Sequence, residues 1–135
     1  GLSSARQGET STETSPIITR TDEIFTVDSF VKGGWKKSKE FSTETVKRAT
    51  SVWYGFYSGR DVEIRFYGSH SDALDAGVES AQAAVDRSPN SNIGGGIITS
   101  AGNRTQYSDF LVAGNTVVLC QLDIVPCEEL VKLIP

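Results

Sequence analysis

The side chains that could carry chemistry in this chain are few. The one histidine, His70, sits between Ser69 and Ser71. A hydrolytic triad would need the fold to bring it a nucleophile and an acid. Its place at the start of a helical pattern favours a solvated or capping role. The carboxylates Asp72 with Asp75, and Glu128 with Glu129, form close pairs. Glycoside cleavage needs two carboxyls facing each other across a cleft, whereas acids in a first helical turn simply complement the helix dipole. The second reading fits both pairs. Cys120 and Cys127 are separated by QLDIVP. A metal centre would need further Cys or His ligands, and only His70 exists. The pair is a disulfide or two buried thiols, and a disulfide would place the chain in an oxidising compartment. Gly94–Gly95–Gly96 lacks the Lys and Ser/Thr of a phosphate loop and does not join a strand to a helix. The sequence therefore assigns no catalytic residue, no metal ligand and no cofactor.

The least ordinary feature is aromatic. Trp53, Tyr54, Phe56, Tyr57, Phe66 and Tyr67 fall within two short runs. In a sheet covered on one side, Trp53, Tyr57 and Tyr67 either lie under the Gly1–Val27 arm or form an exposed surface. Exposed aromatics of this kind mark interfaces or ligand grooves. Trp35, beside Lys36 and Lys37, could stack on a sugar or a partner, or cap the edge of a core. Trp35, Trp53, Tyr57 and Tyr67 are the interaction candidates. Asp61, Glu63 and Arg65, with Arg60, read as the wet face of a strand, with a charged ligand patch as the alternative.

The elements that must position these residues centre on 52–85. Asp61–Tyr67 alternates strictly, with Val62, Ile64 and Phe66 on one face, as in a half-buried strand. Val52–Tyr57 is an uncharged, aromatic run that suits a strand covered on both faces. Ser58–Gly59–Arg60 joins the two as an antiparallel hairpin, Gly59 being free to take positive φ. A helix over about 70–86 follows, with Ser69 and Asp72 at capping-box spacing. Its apolar stripe of Leu74, Gly77, Val78, Ala81, Ala84 and Val85 lets it lie close to the sheet. Tyr107–Ala113 and Thr116–Leu122 form a second hairpin about Ala113–Gly114–Asn115. The second of these strands is apolar on both faces and so central. Pro126 opens a short C-terminal helix over about 127–134. Before the central unit, Ile17–Val27 reads as a strand ending in EIFTV, and Glu40–Ala49 as a short helix.

The expected fold is therefore α+β. Two layers are expected, a mainly antiparallel sheet of four to five strands with both helices on one face. Residues 1–16 read as a polar extended arm or linker and 17–135 as one domain. The arm is rich in Ser, Thr, Glu and Gly and has little to bury. The loop over 87–104 is long enough to be functional or mobile; Ile97–Thr99 could pair as an edge strand, and Asn103–Arg104–Thr105 fits a glycosylation acceptor. At 135 residues the chain is one domain's worth, enough to bury about two-thirds of its unfolded surface. Formal charge is −4 and pI about 5.0. Beyond Lys36, Lys37 and Lys39 there is no basic cluster, which argues against nucleic acid. No apolar run approaches a membrane span. The chain begins at Gly1 and contains no Met, which reads as a processed or trimmed chain.

The pattern is similar to that of small cell-envelope domains. It leads us to expect a non-enzymatic extracytoplasmic domain, periplasmic, cell-surface or secreted. It would dock on a protein partner, or on another copy, through its arm and aromatic sheet face, as an accessory subunit of a larger envelope assembly. The alternative is a small-molecule or carbohydrate-binding module using the aromatic face with the 87–104 loop as a lid.

Overall fold

The computed structural model describes residues 17–86 and 106–135. The arm over 1–16 and residues 87–105, on which the glycine-run, edge-strand and glycosylation readings fall, lie outside the described residues. The central hairpin forms as its alternation dictates. β3 (Ser51–Tyr57) and β4 (Arg60–Phe66) pair antiparallel from Ser51↔Phe66 to Tyr57↔Arg60. The turn is only two residues long, and both take positive φ: Ser58 at 56° and Gly59 at 77°. That geometry matches the right-handed twist of the flanking strands. The second hairpin, β5 (Asp109–Ala113) and β6 (Thr116–Cys120), turns through Gly114 at φ 57°. β6 pairs with β4 and is central, and all five of its residues are buried.

Among the described residues the sheet has six strands rather than four to five, and the mainly antiparallel arrangement expected is mixed by one parallel pair. Its order is β1-β5-β6-β4-β3-β2. β1 (Ile17–Thr19) runs parallel to β5 on one edge, and β2 (Lys36–Phe41) forms the opposite edge. Two sequence readings are corrected on this side of the chain. EIFTV is not a strand: it leads into a short helix, α1 (Val27–Lys32), whose Ser29 Oγ accepts from the Thr26 N–H at 3.0 Å. Glu40–Ala49 is not a helix, since β2 runs through Phe41 and turns follow.

The expected helix over 70–86, α2, starts as foreseen. Ser69 caps it, accepting from the Asp72 N–H at 3.1 Å. It is not uniform, because a π turn over Ala73–Gly77 separates an opening α turn, His70–Asp72, from the regular helix Val78–Asp86. The extra residue rotates the stripe, so Ala73, Ala76 and Gly77 are buried upstream and Ala81 downstream. The last helix, α3 (Val125–Leu133), has Pro126 in its first turn.

These helices lie on both faces of the sheet, not on one. Val62, Ile64 and Phe66 face α1 and α3, in a core with Phe25, Phe30, Trp35, Leu111, Val118, Leu130 and Val131. Phe30 is its centre, edge-on to Phe25, Trp35 and Phe66 at centroid distances of 5.7, 6.4 and 5.8 Å. The opposite face carries Val52, Tyr67, Val112, Val117 and Leu119 against the alanines of α2. Gly55 in β3 makes the first core possible, since a Cβ there would lie 2.7 Å from the Trp35 ring. Among the described residues no helix is long and apolar enough to cross a membrane.

Candidate functional site

Strand alternation assigns Asp61, Glu63 and Arg65 of β4, and Tyr67 just after it, to the α2 face. The sequence reading made Asp61, Glu63 and Arg65, with Arg60, the wet face; the structure buries Glu63 and Arg65, and Tyr67 beside them. Glu63 is 4% exposed, Arg65 7% and Tyr67 2%. Alternation shows which residues share a face but not which face is covered, and here α2 covers it. The Arg65 Nε donates to Glu63 Oε2 at 2.8 Å, and its Nη1 reaches Ser80 Oγ of α2 at 3.2 Å. A buried charge requires such pairing. Tyr67 differs: its hydroxyl is buried and has no hydrogen-bond partner. An unmatched buried hydroxyl costs about 1–3 kcal/mol. Burial pushes the Tyr67 phenol above its usual range; nearby Arg65 pulls it back and Glu63 adds to the rise. Gly77, in the π turn, sits directly over the ring, where a Cβ would come within 3.1 Å of Cε1 and Cζ. This cluster ties β4 to α2.

Farther out on the same face, α2 no longer covers the sheet. Register places Phe41, Tyr54 and Phe56 there, with Lys36 paired to Phe56 and Lys39 to Tyr54. Phe41 stacks on Tyr54 at 5.7 Å, and Tyr54 meets Phe56 edge-on at 5.2 Å. The strip grades from half-buried Phe41 and Tyr54 to exposed Phe56. Lys36, Lys37, Lys39 and Glu40 of β2 are all exposed. Lys39 lies over Phe41 and, on the other face, Lys37 lies over Trp53. The site is thus an aromatic ledge rimmed by lysines, beside a sheet edge whose outer side no described residue pairs.

The four sequence candidates do not assemble into this surface. Trp35 is buried at 1% exposure, its Nε1 donating to the Val62 carbonyl at 3.2 Å. Tyr67 is buried under α2. Trp53 and Tyr57 are half-buried on the opposite face, because Trp53 pairs with Ile64 and must share its side. Tyr57 donates to Glu129 Oε1 at 3.3 Å; partial burial chiefly, then the Glu129 charge and hydrogen bond, raise its phenol pKa. Tyr54 and Phe56 stand among the aromatics of Val52–Tyr57, but joining Phe41 to them required knowing that β2 pairs alongside.

The other chemistry-bearing residues have structural partners. The His70 Nδ1 lies 2.7 Å from the Gly114 carbonyl, tying the start of α2 to the β5–β6 turn. Asn115 is a buried hub, accepting from the Phe25 N–H and donating to the Phe25 and Tyr67 carbonyls. Arg20 donates to the carbonyls of Val131 and Ile134 at 2.8 Å and to Glu23, and so caps α3. Cys120 and Cys127 form a disulfide that pins the start of α3 to the end of β6, Cα to Cα 6.3 Å. Among the described residues no group of three or more His, Cys, Asp or Glu could hold a metal ion.

No curated protein and no solved structure matches the chain. One family model does match, over residues 26–99, a span that includes β2, β3, β4 and α2 and therefore the whole ledge. Its description is a family of unknown function, DUF6810, and because the match covers more than half of the 135 residues the chain belongs to that family.

Proposed function

We propose that this chain is a non-enzymatic, extracytoplasmic docking domain that binds a protein partner at the β2–β3 edge of its sheet. One observation carries the reading: the Phe41–Tyr54–Phe56 ledge runs outward from under α2 to an exposed phenyl ring, beside an edge strand whose outer side no described residue pairs. An aromatic side chain on a rigid strand gives contact area at little entropic cost, which is why aromatics anchor interfaces. The disulfide supports an oxidising compartment. The carbohydrate-binding reading loses Trp35 and Tyr67 to the core.

The test is site-specific photo-crosslinking in the cells that make the protein. A photoreactive residue replaces Phe56 or, for comparison, Val125, which is also exposed but lies in the disulfide-closed segment. The account predicts a discrete protein adduct from position 56 and none from position 125. Equal adducts at both, or adducts at 125 alone, would overturn the assignment of the surface.

A further inference from the structure

We infer that the outer edge of β2 accepts an extended acidic segment of a protein partner, added to the sheet as a further strand. The inference rests on the docking reading and names the partner's chemistry. Three observations meet at this edge. Among the described residues nothing pairs with the outer side of β2 over Lys36–Glu40, the side on which a further strand would add. The side chains of Lys36–Glu40 are exposed and three of these five are cationic: Lys36 and Lys39 on the ledge face, Lys37 on the other. The surrounding sequence is charged against the trend of the chain. Over residues 32–48, Lys32, Lys36, Lys37, Lys39, Lys47 and Arg48 stand against Glu40 and Glu44, a balance of +4. The whole chain carries −4, so everything else together carries −8. A cationic edge on an anionic protein steers an acidic partner to one place.

Lysines on an edge strand also guard against unwanted pairing. Both roles follow from the same charges. A second copy presenting its β2 would set lysine against lysine, whereas an acidic strand would find a cation on either face. The register shift between Lys37 and Lys39 limits the regular edge to a short length, which suits a single segment and not a growing stack. The neighbouring acids are few: Glu40 on the Trp53 face, Glu44 just past the end of β2, Asp61 across from Phe56, and Asp72, which lies 3.8 Å from Arg48.

The experiment uses the full chain and short labelled peptides, read by fluorescence anisotropy. One peptide alternates Glu with Val; a second has Lys in place of Glu; a third keeps the Glu–Val sequence with alternate amides N-methylated. A short DNA duplex and phosphatidylserine vesicles are run alongside. The Glu–Val peptide is expected to bind at least roughly tenfold more tightly than the other two peptides, a gap of about 1.4 kcal/mol. Amide resonances of Lys36–Phe41 should move. The variant carrying Lys36→Glu, Lys37→Glu and Lys39→Glu should reverse the preference between the Glu and Lys peptides. Equal binding of the N-methylated peptide would reduce the effect to charge alone and overturn strand addition. Tighter binding of duplex or vesicles would overturn the choice of partner. If the triple variant still gives the position-56 crosslink in cells, the docking reading stands and the acidic-strand inference fails. If the crosslink is absent from the unmodified background as well, the docking reading itself fails.

Discussion

Replacing Glu63 with Ala leaves the Arg65 guanidinium inside the protein with its principal counter-charge gone. The two side chains are only 5% and 9% exposed, and the Nε–Oε2 contact is 2.8 Å. Solvent therefore cannot take the place of the lost carboxylate. Removing one member of a buried pair costs about 3–5 kcal/mol. A domain's entire stability is about 5–15 kcal/mol, so the variant should be conspicuously weakened. With a urea dependence of about 2 kcal/mol per molar, the unfolding midpoint should fall by roughly 1.5–2.5 M. Glu63→Gln keeps an acceptor for Arg65 and should fall by less. Replacing both together, Glu63→Leu with Arg65→Met, removes both charges at similar volume and should recover most or all of the loss. The assay is urea denaturation followed by circular dichroism at neutral pH. A midpoint shift below about 0.5 M for Glu63→Ala, or a double variant weaker than either single one, would refute the claim that α2 seals this pair from water.

Tyr67→Phe removes a buried hydroxyl that has no partner, so it should stabilise the protein by about 1 kcal/mol, read as a raised urea midpoint. The same residue sets an alkaline limit. Its folded pKa is raised, so above the ordinary tyrosine value, near 10, the unfolded chain ionises first and stability falls as pH rises. Tyr67→Phe should flatten that fall, and an unchanged alkaline profile would count against burial of the phenol. Reducing the Cys120–Cys127 bond, which spans a separation of 7 residues, should cost roughly 2–3 kcal/mol by loop entropy. Intact mass of the protein from its native compartment should rise by two hydrogens on reduction. Arg20→Ala removes the donor that holds the carbonyls of Val131 and Ile134. The last turn of α3 should then exchange its amides faster while β4 and β6 stay protected, and uniform loss across the sheet would contradict a local cap.

What the sequence shows clearly is the part of the fold set by local pattern. Val62, Ile64 and Phe66 alternate, Gly59 and Gly114 mark their turns, and Ser69 announces α2, so both hairpins and both longer helices could be read directly. β2 could not be read this way. Its lysines have no apolar alternation, and it exists because β3 offers it a hydrogen-bonding edge, which is a tertiary cause. The same holds for Glu63 and Arg65, whose alternation was visible but whose burial depends on where α2 lands. With both helices expected on one face, nothing but the arm is expected to cover the other. Tyr67 is therefore grouped with Trp53, which the Trp53↔Ile64 register puts on the other side. The ledge of Phe41, Tyr54 and Phe56 became visible only once β2 was paired to β3.

The central claim is that the β2–β3 edge is a surface the protein uses. Amide hydrogen exchange, measured on the chain alone and again in an extract of the cells that make it, addresses it directly. The account predicts slowed exchange confined to Lys36–Phe41 and the outer half of β3, with 121–125 unchanged. Identical exchange along β2 in both settings, with new protection around Leu122 and Val125, would contradict it.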